Sequence, residues 1–298
     1  MDMSIDYHCD TNNGCQSERI GSLAETIRKL RENESDYTVT DYLAMTCEEE
    51  SVDLNCRTQM IQWIMGIIDH CGFHRVTVSI ATNYLDRFLM KTELARQDRS
   101  AFQLGFITCL YIAIKIHEPT VLSIDTIQRL IRNAYTKEQI EAMELLILNA
   151  NQWRMNPSTP FHFASYLSEM ISLMDPRLDL ETVQELANLQ IEGVLNDYGV
   201  SLLPSSLVAL AAVINAVDSM DVYSAEKLQE MELHLHALLQ TDASICFNDV
   251  RIRLYESISG DDSSPSHLST VCHPTGCAAA TQLSRSPRSV STIRVVSP

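Results

Sequence analysis

FQLGFITCLYIAIKI, spanning Phe102–Ile116, is apolar at nearly every position. A surface helix keeps a polar stripe at the 3.6-residue period, so a helix apolar nearly all round has to be buried on all sides. About a hundred residues later, PSSLVALAAVINAV (Pro204–Val217) reads the same way. Amphipathic stretches surround each of them. Arg19–Glu32 carries Ile20, Leu23, Ile27 and Leu30 at spacings of three and four. Met60, Ile64 and Ile67/Ile68 form a second stripe, and Val76, Ile80, Tyr84 and Phe88 a third. Ser123–Asn133 and Lys137–Asn151 follow, and Pro157 and Pro160 then break the pattern. The second half repeats the plan with Phe161–Met174, Asp179–Asp197, Pro204–Val217, Ala225–Leu239 and Ala243–Ser257. No period-two alternation competes. The pattern predicts an all-α chain of two similar five-helix units, each of about 100 residues built round a buried third helix, behind one N-terminal helix.

The boundaries follow from composition. Residues 1–17 lack periodicity and are expected to be a disordered leader, and 18–50 an N-terminal helix with an acidic linker. The two helical units occupy 51–153 and 157–256. Residues 257–298 hold eleven Ser, four Thr and no aromatic residue. Such a segment buries too little surface to offset its ordering entropy, which predicts a disordered tail. Within it Ser264, Ser286 and Ser297 each precede a proline and are candidate sites for proline-directed phosphorylation.

Charge narrows the function. The chain has 298 residues with 22 Lys+Arg against 39 Asp+Glu, a net charge of −17. Nucleic-acid affinity is dominated by phosphate contacts and needs a basic face, so nucleic acid is disfavoured as a partner. Only five of the cations are Lys, and no polybasic segment suits a membrane surface. No fully apolar run reaches the roughly 18 residues of a membrane span; the best, Leu207–Val217, has eleven with Asn215 inside. Nine scattered cysteines, no C-x-x-C pair and no signal-peptide pattern predict a reducing compartment.

Catalytic constellations are missing. Nine glycines form no phosphate loop. His117-Glu118 runs into Pro119 and cannot be a zincin helix. His234 and His236, two apart, point to different helix faces. His70, Cys71 and His74 lack a second ligand pair in the helical body. Nothing in these residues argues for an enzyme, and no metal or cofactor is expected.

NYLDRFL, Asn83–Leu89, resembles the signature of the cyclin box. The likeness extends in register through Arg57 and Trp63 (CRTQMIQWI), Lys115 (AIKIHEP), Glu144 (MELLILNANQW) and Pro157–Tyr166 (PSTPFHFASY), covering roughly residues 18–256. Asn33–Leu43, MELLILNANQW and LLPSSLVALAAV look most like D-type cyclins. The resemblance implies two tandem cyclin folds and a non-catalytic subunit that activates a cyclin-dependent kinase, in the nucleus and also the cytoplasm, at G1/S. It implies that Lys115 and Glu144 hydrogen-bond the kinase; read alone, Lys115 is a snorkelling lysine and Glu144 a solvated helix charge. It implies that Arg57 and Asp86 lock two neighbouring helices, as a buried Arg and Asp must be paired in any reading. Carried over by position, a substrate-docking groove would comprise Cys56, Met60, Trp63 and Gln103. Gln59 and Cys56 depart from the family there, so the groove is expected to be weakened or altered; the other reading makes Met60 and Trp63 core. Met45, Cys47 and Glu49 resemble, with Met in place of Leu, the L-x-C-x-E motif for a retinoblastoma-type pocket protein. The alternative there is an acidic linker that happens to contain Cys. The alternatives for the whole chain are a cyclin-fold transcription regulator (a transcription-kinase partner or TFIIB-like factor) and a helical scaffold that activates nothing.

Overall fold

The computed structural model describes residues 11–45, 52–241 and 247–259, which are helical with no strand among them. An N-terminal helix α1 (Thr11–Glu34) and 3-10 turns at Ser35–Tyr37 and Leu43–Met45 lead into the first unit. That unit comprises α2 (Leu54–Cys71), α3 (Val76–Lys91), a short α4 (Glu93–Gln97), α5 (Arg99–His117), α6 (Ile124–Leu130) and α7 (Lys137–Ala150). The second comprises α8 (Pro160–Met174), α9 (Leu180–Gly193), a short α10 (Tyr198–Ser201), α11 (Ser205–Ser219), α12 (Ala225–Leu239) and α13 (Phe247–Ser259).

Capping residues set many of the starts. Asp53 accepts from Cys56 N, Asp98 from Ser100 N, Ser123 from Thr126 N and Asp179 from Thr182 N. Thr136 and Gln139 form a reciprocal capping box that opens α7. Gly72 closes α2 at φ 68°, where a Cβ is disfavoured.

The two all-apolar helices are the centres of the two units. From Phe106 to Ile114 every residue of α5 is buried, as is every residue of α11 from Ser206 to Val217. By length and composition alone α5 could cross a membrane, but 61% of its apolar window is buried inside the fold. Helix α1 adds Leu23 and Ile27 to the core of the second unit, not the first.

Three boundaries differ from expectation. Helix α1 begins at Thr11, so residues 11–17 extend it instead of forming a leader. Extending an existing helix needs no new nucleus, and the Gln16 amide donates to the Leu173 carbonyl at the end of α8. Helix α13 runs through Ser259, and Ser257 packs so closely on Gly193 of α9 that a Cβ there would lie 2.5 Å from its Oγ. The expected helix Asp179–Asp197 stops at Gly193, and Asp197 instead caps α10. Cys47, Glu49, Ser264, Ser286 and Ser297 lie outside the described residues; Met45 ends a 3-10 turn.

Candidate functional site

Helix α3 carries NYLDRFL with its polar residues turned inward. Arg57 of α2 and Asp86 of α3 meet in a two-point ion pair, Nη2 to Oδ2 at 2.8 Å and Nε to Oδ1 at 3.1 Å. Both residues are 1% exposed. Such a pair is tolerable when further partners offset its desolvation, although Arg57 Nη1 is buried without a hydrogen bond. Tyr42, from the segment after α1, donates its hydroxyl to Asp86 Oδ1 at 2.7 Å, and the Tyr198 ring of α10 covers the guanidinium at 5.3 Å. Burial works to lower the Arg57 pKa, but the Asp86 charge and hydrogen bonds outweigh it and raise it. Burial, and then the charge of Asp86, push the Tyr42 phenol well above its usual range.

Arg87, one residue on, donates to the Asn151 and Arg154 carbonyls at 3.0 and 2.9 Å and lies over the Tyr37 ring. Asn151 Nδ2 returns a hydrogen bond to the Tyr84 carbonyl at 3.1 Å. Helix α3 thereby fastens the end of α7 and so fixes the helix that bears Glu144.

The end of α5 is fixed as firmly. Pro119 disfavours helical backbone at Glu118, which ends the helix. The Glu118 carboxylate turns inward and accepts from His74 N at 2.9 Å and from the Thr77 hydroxyl. His117 Nε2 lies 2.9 Å from Tyr84 Oη and 3.0 Å from the Met155 carbonyl. Between these anchors Lys115 Nζ donates to Glu144 Oε1 at 2.9 Å and stands 5.5 Å from the Tyr111 ring centroid. The Glu144 hydrogen bond raises the Lys115 pKa. Side-chain exposures are 47% for Lys115 and 17% for Glu144. A pair this exposed adds only about 0–1 kcal/mol to folding. Ile116 and Leu145, next to them in the chain, and Val121 in the following loop are exposed aliphatic residues. A pre-oriented ion pair beside exposed aliphatic side chains suits contact with a protein partner.

A groove of about 600 Å³ lies between α2, the start of α5 and the turn after α6. Cys56, Met60, Trp63 and Gln103, the four residues expected there, all line it. Met60 and Trp63 also pack on the buried cluster of Ile107, Tyr111, Ile127, Ile131 and Ile140, so they serve core and groove together. Gln59 stands exposed among the lining residues, and burial raises the Cys56 thiol pKa. Tyr135 donates its hydroxyl to the Ser100 carbonyl at 3.2 Å and so holds the turn after α6 to α5.

Sequence reasoning missed Tyr42, Tyr198, Arg87 and Glu118. Only Arg87 and Glu118 carried a signal, a charge next to a buried stripe. It missed Arg99 and Arg132 of the groove altogether.

Residues 25–156 match the family described as cyclin, N-terminal domain. Over those residues the chain resembles the cyclin family. It is 29% identical over 173 residues to Cyclin-D2-1 of Oryza sativa subsp. japonica, covering 56% of each chain. Over 218 residues it is 25% identical to Cyclin-D3-1 of Arabidopsis thaliana, covering 70% of this chain and 57% of that one. These are D-type cyclins, and the chain spans a little over half of their length. In structure it resembles a viral cyclin from herpesvirus saimiri, with TM-score 0.55 and 18% identity over 70% of this chain and 87% of that chain. That likeness is one of fold: tandem cyclin units.

Proposed function

We propose that this chain is a cyclin, a non-catalytic subunit that binds and activates a cyclin-dependent Ser/Thr protein kinase in control of the cell cycle, as a D-type member acting at G1/S in the nucleus and cytoplasm. The observation that carries the reading is the Lys115–Glu144 pair, held at 2.9 Å on an exposed edge by two helices whose ends are both pinned. Charge-assisted bonds of this kind are directional, and they gain strength when a partner excludes water from them. The mechanism is a population shift. A free kinase mostly keeps its catalytic Lys–Glu pair apart, and a rigid helical face that contacts only the joined conformation draws the equilibrium to it.

The groove between α2 and α5 is a second contact, for a segment of the kinase's substrate, which raises that substrate's local concentration. Met45, Cys47 and Glu49 are a candidate contact for a retinoblastoma-type pocket protein, and phosphorylation of Ser264, Ser286 and Ser297 a candidate control of turnover. The kinase reading is tested by tagging the chain in dividing cells and scoring the recovered kinase and its activity. Recovery of an active proline-directed kinase by wild type, lost in Lys115→Ala/Glu144→Ala, supports it. Recovery of no kinase by the folded wild-type chain overturns it.

A further inference from the structure

The charge around the groove says what it takes. Its floor is apolar, with Met60, Trp63, Phe102 and Ile107, while its charged lining residues are Arg99 and Arg132 and no carboxylate. In a chain of net charge −17, a lining whose charged residues are both cations runs against the whole. The nearby acids Asp53 and Asp98 are committed as helix caps, accepting from Cys56 N and Ser100 N at 2.7 Å each. Asp53 forms a long ion pair with Arg99 at 3.9 Å, with both side chains about half exposed and so weakly held. Arg132 is exposed, has no ion pair among the described residues, and is set in the turn after α6 by a left-handed backbone at φ 53°.

We infer that the groove docks an extended peptide in which one or two large apolar side chains stand next to Asp or Glu, and that it rejects the same apolar residues set among Lys or Arg. The apolar residues fill the floor over Met60 and Trp63, and the carboxylates pair with Arg99 and Arg132. Floor contacts give affinity; the arginines choose the partner, because a like-charge contact in a partly desolvated groove is unfavourable. This rests on the docking role assigned to the groove above, but not on kinase binding.

Fluorescence anisotropy on the full chain tests it with two labelled decapeptides, GSDLDFEGSG and its cationic twin GSKLKFKGSG. At low salt the acidic peptide is expected to bind at least tenfold tighter than the twin, with the preference shrinking as salt screens the charges. Arg99→Glu/Arg132→Glu, both exposed positions, should weaken the acidic peptide tenfold or more and strengthen the cationic one. Tighter binding of the cationic twin to wild type, or an acidic preference that survives the double reversal, overturns the inference. So does self-association of the chain that the reversal abolishes, since the groove would then hold a second copy. If neither peptide binds at millimolar concentration, the docking role itself fails. Kinase recovery, measured separately on the Arg99→Glu/Arg132→Glu chain, should stay at the wild-type level, because Lys115 stands at the opposite end of α5 from Arg99.

Discussion

Tyr42 and Tyr198 meet edge to face, with ring centroids 5.3 Å apart and planes at 77°, and the Tyr42 amide donates to the Tyr198 hydroxyl at 3.0 Å. One belongs to the segment after α1 and the other to the second unit, and both bear on the Arg57–Asp86 pair inside the first. The ion pair is therefore a joint of three parts of the chain. Helix α1 makes another such joint, where the Glu34 carboxylate accepts from Ser206 N at 2.7 Å and from its hydroxyl at 2.8 Å at the start of α11.

Breaking the pair from one side should be severe. Asp86→Ala leaves a buried guanidinium without its counter-charge, and a loss of about 3–5 kcal/mol is expected in urea unfolding. Arg57→Met/Asp86→Leu removes both charges and should recover much of that loss. A double variant as unstable as the single one would show that packing, not charge, holds the joint.

Tyr42→Phe deletes one hydroxyl and keeps the ring. The lost bond to an ionised acceptor should cost about 1.5–3 kcal/mol. The urea midpoint should fall with no change in slope, because the surface exposed on unfolding is the same.

Burial works to raise the Glu118 pKa, but hydrogen bonds from Thr77 and His74 outweigh it and hold the carboxyl below its usual range. A depressed folded-state pKa contributes stability that is present above the unfolded value of about 4.3 and is lost as pH falls through the folded one. Glu118→Gln should therefore be less stable than wild type at neutral pH, and the gap should narrow below about pH 4. Chemical denaturation of both proteins across that range checks the sign.

Ile27 of α1 is fully buried in the core of the second unit. Ile27→Ala should cost about 2–5 kcal/mol. Amide exchange should then rise along α1 and α8 before it rises in α5.

Much of this architecture was legible in the sequence. The stretches 102–116 and 204–217 could only be buried helices, and the duplicated pattern around them gave the two units. The Arg57–Asp86 pairing came with the resemblance, which gave Lys115 and Glu144 only as kinase contacts; that these two also meet each other was not legible, because a pairing across 29 residues depends on how helices cross. Tyr42 and Tyr198 were invisible, as each sits in a short irregular segment whose packing is decided by residues far along the chain. The short α4 and α10 were missed because one turn of helix leaves no period to read. Arg99 and Arg132 looked like ordinary surface charges until the fold brought the start of α5 beside the turn after α6.

The central claim is tested most directly by titrating purified cyclin-dependent kinase catalytic subunits with the wild-type chain, Lys115→Ala and Glu144→Ala. Affinity and phosphorylation of a proline-directed peptide are read together, with thermal unfolding of each variant alongside. The wild-type chain is expected to bind and activate one of the kinases. Each variant should bind at least tenfold more weakly and activate less, while its unfolding midpoint moves by no more than the few degrees an exposed ion pair can contribute. Full affinity and full activation by both variants would contradict the account.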